Sequence, residues 1–261
     1  MQTFSQEHLN YLKHENNNKK IIIIIQISII LIFLILWELL SRFNIINSFL
    51  YSSPFNILKT IINNNFINHI FTTLYEIFIS TFLSFIIGFI IATILWSNKT
   101  IRKIFDPYLT ILNSLPKVAL GPLIIIWIGA NINSIIFMSL TISIFITIIN
   151  LYNYFLNTNN DYIILLKSMN ANKLKIYLKV IIPANLNNIL NTLKINISMN
   201  LIGVIMGELL VSKKGLGYLI MYGSNVFNIN LVITSIFIIG IISATFYYLI
   251  NYLEKNIKYN I

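Results

Sequence analysis

Residues 161–183, DYIILLKSMNANKLKIYLKVIIP, form a basic segment between two strongly hydrophobic stretches of the chain. The segment carries Lys167, Lys173, Lys175 and Lys179. A connection of this length in a compact fold is usually either functional or disordered. Its helical periodicity favours an ordered segment with a function over a disordered one.

The second half of this segment has the pattern of an amphipathic helix. Leu174, Tyr177, Leu178 and Ile181 are spaced i, i+3, i+4 and i+7, which predicts one apolar stripe. Asn172 precedes the stripe and is placed to cap the N-terminus of the helix.

The boundaries of that helix predict a helix-turn-helix. Residues 163–169 are long enough for a short first helix, and Asn170 then interrupts the pattern. Asparagine tolerates the left-handed conformation of a tight turn, and proline disrupts a helix interior, so we expect a turn at Asn170 and an end at Pro183. The residues alone leave a second possibility open, a loop that merely lies on a lipid surface.

The overall composition indicates a membrane protein. Of the 261 residues, 57% are hydrophobic and only 10% are charged, and the mean hydropathy is +0.78. A soluble domain carries about 25% charged residues, so most of this chain is not built to face water. There is no cysteine, which excludes disulfides and thiol chemistry.

Runs of about 20 apolar residues predict six membrane-spanning helices in one domain, residues 21–252. The fold class is therefore all-α, with a polar tail at 1–20, a second tail at 253–261 and the basic loop at 161–183. The first span lacks a small-residue cleavage site after it and is interpreted as a retained anchor. The predicted spans are 21–40, 71–96, 107–129, 134–152, 189–211 and 231–252, the third broken by Pro116 and Pro122.

The distribution of Lys and Arg predicts the orientation of these spans. With the N-terminus inside, twelve of the 18 basic residues fall in inner segments, four in outer segments, and two, Lys117 and Lys194, within or beside spans. This bias places both termini and residues 161–183 in the cytoplasm. The net charge of +10 then reflects basic loops against an anionic membrane surface rather than nucleic-acid binding.

Ionisable residues within the spans are candidates for a function, because they are costly there and tend to face a bundle interior or a cavity. Glu38 and Glu76 lie near predicted span ends, where they can reach water. Pro116, Lys117 and Glu208 are better placed to be internal, and we predict that they line a translocation pathway.

Catalytic chemistry has no support in the residues. There is no G-x-x-x-x-G-K-[ST] phosphate loop, so the chain is not predicted to hydrolyse ATP. His8, His14 and His69 form no metal-binding pattern, and no Ser/His/Asp constellation is evident. We therefore predict no catalytic residue, metal or cofactor. A secondary transporter and a structural membrane protein remain as alternatives to a transport subunit with separate partners.

The basic loop resembles the cytoplasmic signature of ABC importer permeases, E-A-A-x3-G-x9-I-x-L-P. Asn170 stands at the signature Gly, Val180 at its Ile, Ile182 at its Leu and Pro183 at its Pro, whereas residues 164–166 read Ile-Leu-Leu in place of E-A-A.

Three further stretches resemble the nitrate, taurine and aliphatic sulfonate branch of that family, in the order the branch has them. Glu76 departs from the branch, in which a basic residue is common nearby. The matching stretches are LWELL (36–40) with SSP (52–54), LPKVALGP (115–122) with WIG (127–129), and GEL (207–209) with GLGY (215–218).

This resemblance implies a permease subunit in a bacterial inner membrane that couples to a separate ABC ATPase subunit and receives solute from an extracytoplasmic solute-binding protein. It also implies a homodimer of the permease. The solute stays open between sulfonates, nitrate, bicarbonate and thiamine-precursor pyrimidines. The residues that it assigns to ATPase coupling are Asn170, Leu174, Tyr177, Leu178 and Pro183.

Overall fold

A computed structural model describes residues 6–258, and every regular element within that range is helical. The described chain divides into two compact units, one ending at Asn63 and the other beginning at Asn64.

The first unit consists of one long helix followed by two short ones. Glu38, near the end of the long helix, accepts hydrogen bonds from Arg42 Nε at 2.9 Å and from Phe55 N at 3.0 Å. Its carboxylate therefore joins the long helix to the first turn of the third. The three helices are α1 (Gln6–Arg42), α2 (Ser48–Tyr51) and α3 (Pro54–Asn63).

The second unit is a helical bundle. A 3₁₀ turn (Lys117–Leu120) precedes α6, and a π-helical turn (Tyr177–Ile181) lies between α9 and α10. Its helices are α4 (Ile67–Ser97), α5 (Lys99–Ser114), α6 (Gly121–Ile128), α7 (Ile132–Leu156), α8 (Asn160–Ser168), α9 (Lys173–Ile176), α10 (Ile182–Ala184), α11 (Leu186–Val211), α12 (Leu216–Asn225) and α13 (Ile229–Lys258).

The all-helical membrane fold predicted from the sequence is confirmed. Within the described residues, five helices are long and apolar enough to cross a membrane, and α5 with α6 forms a sixth candidate bent by 83°. The five straight spans are Lys20–Arg42, Ile67–Ser97, Ile132–Leu156, Leu186–Val211 and Ile229–Lys255.

The bent span differs from its prediction in where it begins and in which proline breaks it. The helix starts at Lys99 and keeps Pro107 inside it. It ends at Ser114, and the next residue, Leu115, has the extended backbone (φ −63°, ψ 142°) that a following proline favours. Pro122 breaks nothing, because it lies in the first turn of α6, where its missing N–H has no partner to lose.

Helices α4, α7 and α11 pack closely through small residues. A methyl group added to Gly203 of α11 would lie 2.4 Å from the Cα atom of Ser139 in α7. One added to Gly88 of α4 would lie 2.8 Å from the side chain of Thr147. Small residues at such crossings let helix backbones approach closely, which is how helices associate in a membrane.

A buried hydrogen-bond network, here called the polar seam, joins the same three helices. Asn200 Nδ2 donates to Ser84 Oγ at 3.1 Å, and Ser139 Oγ donates to Asn200 Oδ1 at 2.8 Å. Asn196 Nδ2 donates to Thr147 Oγ1 at 2.6 Å and to Ser84 Oγ at 3.0 Å. The seam comprises Ser84, Ser139, Ser143, Thr147, Asn196 and Asn200.

The close approach of α7 and α11 predicts unequal effects of two glycine substitutions. Gly203→Ala should lower stability by about 1–3 kcal/mol, because the added methyl group meets the backbone of α7. Gly240→Ala is the matched control, since nothing lies within 4 Å of its added methyl group. Thermal unfolding in detergent would measure both, and equal melting temperatures would contradict the packing described.

Candidate functional site

The basic segment forms the predicted helix-turn-helix at one end of the bundle. Asn170 adopts the left-handed conformation, with φ +57°. The side chain of Asn172 caps α9 by accepting a hydrogen bond from Lys175 N at 2.9 Å. The turn and the cap thus lie at the residues predicted from the sequence.

The second helix does not end at Pro183, which corrects the prediction. A π-helical turn closes with a hydrogen bond from Ile182 N to Tyr177 O, and Pro183 then sits in the first turn of α10, where proline is tolerated. The break comes at Asn185 instead. Its Nδ2 donates to Ile181 O at 2.9 Å and to Thr158 Oγ1 at 2.7 Å, so the junction is well bonded.

The predicted single apolar stripe is also wrong, because its members divide between two faces. Tyr177 and Ile181 are 7% and 0% exposed, whereas Leu174 and Leu178 are 64% and 54% exposed. With about 3.6 residues per turn, the four positions span an arc of the helix surface wide enough for Tyr177 and Ile181 to face the bundle and for Leu174 and Leu178 to face away from it. The exposed face consists of Leu174, Lys175, Leu178 and Lys179.

Tyr177 lies in an aromatic cluster inside the bundle. Its ring centroid is 5.1 Å from that of Trp96 in α4 and 5.8 Å, edge to face, from that of Phe155 in α7. The expectation that Tyr177 fills a groove of an ATPase subunit is therefore incompatible with its position in this structure.

The Tyr177 hydroxyl is hydrogen-bonded to Thr93 of α4, with 2.5 Å between the two oxygens. Thr93 Oγ1 already donates its one hydrogen to Phe89 O at 2.8 Å, so Tyr177 is the donor of the pair. Burial raises the pKa of the Tyr177 hydroxyl, which keeps this donor protonated at neutral pH.

Glu208 organises the opposite end of the bundle. Thr73 Oγ1 donates to Glu208 Oε1 at 2.7 Å, and Gly217 N donates to Glu208 Oε2 at 2.6 Å. Thr73 Oγ1 in turn accepts from Leu216 N at 2.9 Å. These bonds hold the start of α12 against α4 and α11.

Two glycines make this arrangement possible. A methyl group on Gly215, whose φ is +103°, would lie 2.1 Å from Glu208 Oε1, and one on Gly217 would lie 2.7 Å from Ile205 O. Only a residue without a side chain lets the backbone pass this close to the carboxylate. Glu208 is consequently 1% exposed and lies behind this loop, which differs from the predicted position on a pathway surface.

Glu76 is the second buried carboxyl group at this end. It is 1% exposed and interacts with the carboxyl group of Glu208. Among the described residues, its Oε2 atom has no hydrogen-bond partner. Glu76 also lines a cavity of about 350 Å³ with Thr72, Asn131 and the two exposed lysines of the α11–α12 loop. Its burial differs from the predicted access to water.

Pro116 and Lys117 lie at the bend between α5 and α6. Lys117 is half-buried, and its Nζ donates to Asn113 Oδ1 at 2.9 Å and lies 5.6 Å from the ring centroid of Phe145. The contacts described for Lys117 are thus separate from those of Glu208, so the structure does not bring the predicted pathway residues together.

The polar seam is the feature that the sequence analysis missed. A signal was present, because Asn196 and Asn200 are four residues apart, as are Ser139 and Ser143, which puts each pair on one helix face. Reading that spacing along two hydrophobic helices would have indicated that their polar faces meet.

These features define a class of protein, a polytopic membrane protein with a polar bundle interior, a broken span and an ordered helix-turn-helix outside the spans. Residues 84–259 match the family model described as "Binding-protein-dependent transport system inner membrane component". The chain belongs to this family and is a permease subunit of an ABC importer, which forms the translocation pathway. The resemblance stated from the sequence is confirmed, and the two alternative classes are excluded.

Relatives of similar length support the assignment. The chain is 28% identical to a "Probable ABC transporter permease protein" of Haemophilus influenzae, over 85% of this chain and 91% of that protein. It is 27% identical to the formylaminopyrimidine transport permease protein ThiX of Halalkalibacterium halodurans, over 72% and 76%. It is 23% identical to the putative aliphatic sulfonates transport permease protein SsuC of Bacillus subtilis, over 85% and 82%.

A solved structure has the same fold. A chain of the MetNI methionine ABC transporter, from a structure titled as inward-facing conformations, superposes with a TM-score of 0.66 over 72% of this chain and 94% of that one. At 18% identity, this likeness concerns the fold alone.

The Glu208 interactions predict different effects at two adjacent threonines. Thr73→Val should cost about 1–3 kcal/mol, because it leaves buried Leu216 N without its hydrogen-bond acceptor and removes a hydrogen bond to Glu208. Thr72→Val is the control, since the hydrogen bond described for Thr72 Oγ1 goes to Asn68 O of its own helix, at 2.9 Å. Thermal unfolding, with limited proteolysis of the 212–217 loop, would measure the difference. Equal stability of the two variants would refute the structural role of Glu208.

Proposed function

We propose that this permease is driven by a separate ATPase subunit, which binds the exposed face of the helix-turn-helix. The observation that supports this is the exposure of Leu174 and Leu178, at 64% and 54%, on a helix whose other face is fixed to the bundle by Tyr177. The described contacts of this segment give the two leucines no apolar cover. They are presented on a rigid support.

The composition of the exposed face suits a protein groove. Full burial of one leucine side chain contributes about 1.5–3 kcal/mol, and apolar anchors of this kind dominate interface energies. Lys175 and Lys179 flank the leucines and would form the charged rim. Asn170 sets the entry of the segment and Pro183, within the continuing helix, sets its path into α11.

The mechanism that we propose has two states. ATP-driven closure of the ATPase dimer displaces the docked helix, and the spans rock between inward-open and outward-open arrangements. Two copies of the permease would enclose the pathway, and an extracytoplasmic binding protein would deliver the solute at the Glu208 end. Pro116 and Lys117, at the bend of the broken span, remain the pathway candidates. Glu208 instead fixes the α11–α12 loop.

In this proposal, the binding protein selects the solute. Among the relatives, ThiX is named for formylaminopyrimidine and SsuC for aliphatic sulfonates, so these two relatives do not indicate a single class of solute. Both termini and the exposed face are proposed to be cytoplasmic, on the basis of the excess of Lys and Arg in those segments.

Leu178→Asp should prevent recovery of the ATPase subunit, because it introduces a charge into the apolar centre of the proposed interface. Co-purification through an affinity tag on the permease, with both subunits co-expressed, would measure this. Phe227→Asp is the matched control, since Phe227 is 74% exposed and lies in the α12–α13 turn. We expect the control to retain the ATPase subunit, and undiminished recovery with Leu178→Asp would count against the docking face.

The orientation has its own test, which the absence of cysteine makes simple. In intact cells, a membrane-impermeant maleimide should label Phe227→Cys but label Lys175→Cys only after permeabilisation. Labelling of Lys175→Cys from outside would place the helix-turn-helix on the wrong side of the membrane for an ATPase partner.

A further inference from the structure

We infer that Tyr177 is the positioning residue that transmits movement of the docked segment to helices α4 and α7. This inference rests on the proposed function, because it assumes that an ATPase subunit holds the exposed face. It adds the path by which displacement of that face reaches the spans.

Tyr177 lies on the docked segment between the two exposed leucines. It directly precedes exposed Leu178 and follows exposed Leu174 by three residues, yet its own side chain points into the bundle. Consecutive residues of a helix are turned by about 100° from one another, so Tyr177 faces the bundle while its neighbour Leu178 faces away from it. A short, hydrogen-bonded helix is stiff on this scale, so displacement of the leucines must displace the Tyr177 ring.

The contacts of the ring show where that displacement goes. Trp96 and Thr93 belong to α4, and Phe155 belongs to α7, so one side chain engages two spans. The hydrogen bond to Thr93 fixes the rotation of the ring, and its 7% exposure leaves little free space around it. Close-packed groups of this kind transmit strain instead of absorbing it.

The polar seam extends the path along the bundle. It joins α4 and α7 to α11 through Asn196 and Asn200, and the tight contact between Gly88 and Thr147 leaves no slack between α4 and α7. The three helices therefore move as one body. Glu208 lies in the last turns of α11 and bonds to α4, which connects this body to the opposite end.

Tyr152 provides a matched control for a merely structural role. It is also 7% exposed and belongs to the same buried cluster, but it lies on α7 and not on the docked segment. Removal of either ring leaves a cavity in one cluster and should destabilise the bundle similarly. The Tyr177 ring belongs to the docked segment, so its removal also deletes the contacts of that segment with Trp96, Thr93 and Phe155.

The experiment uses the purified permease–ATPase complex with MgATP and vanadate as the probe. The readout is the maleimide labelling rate of Thr72→Cys, which lines the cavity at the opposite end. In the complex that carries Thr72→Cys alone, trapping with vanadate should alter this labelling rate by about tenfold. Tyr177→Leu should abolish the change while the ATPase subunit still co-purifies and hydrolyses ATP, and Tyr152→Leu should preserve the change.

The hydrogen bond between Tyr177 and Thr93 allows a milder test, in which no ring is removed from the cluster. Tyr177→Phe and Thr93→Val each remove one partner of the same bond, so each should reduce the nucleotide-dependent change partly. The double variant should lose no more than either single variant, because the effects of partners in one bond are not additive.

The outcomes separate this inference from the proposed function. The proposed function fails if no ATPase subunit binds. It also fails if nucleotide does not alter the labelling rate of Thr72→Cys in the complex with Tyr177 and Tyr152 intact. If that change occurs and survives Tyr177→Leu, or if Tyr152→Leu abolishes it equally, the role assigned to Tyr177 is overturned while the docking face stands.

Discussion

The packing of α4 against α7 and α11 is the constraint on which the rest of this structure depends. In an apolar surrounding, water cannot satisfy polar side chains, so they must bond to one another. Asn200 does this by bonding to Ser84 and Ser139 at once, and Gly203 lets the backbones come close enough for those bonds to form. Helix association here thus comes from close contact and mutual hydrogen bonding, not from release of water.

This rigid centre gives the two ends of the bundle different tasks. At one end, Tyr177 fixes the helix-turn-helix to α4 and α7 and leaves Leu174 and Leu178 uncovered. At the other end, Glu208 draws the Gly215–Gly217 backbone onto the bundle. In the proposed mechanism, displacement at one end opens the other, and a stiff body between two bonded ends suits that purpose.

Local features of the chain were predictable because their causes are local. The left-handed turn at Asn170 and the cap at Asn172 follow from the chemistry of asparagine. One error has a local cause and the other a distant one. Pro183 lies inside the helix and does not end it, because the π-helical turn before it accommodates the proline. The predicted stripe divides because Tyr177 contacts residues of α4, about 80 positions earlier in the chain.

The sequence by itself determined the membrane-spanning class, the family and the existence of an ordered basic loop, because hydropathy, composition and motif spacing are properties of the linear chain. Only the tertiary structure decided which side chains of that loop are free, and that Glu208 and Glu76 are buried together. The physical reason is that exposure and pairing depend on which helices meet. That depends on close packing among residues far apart in sequence.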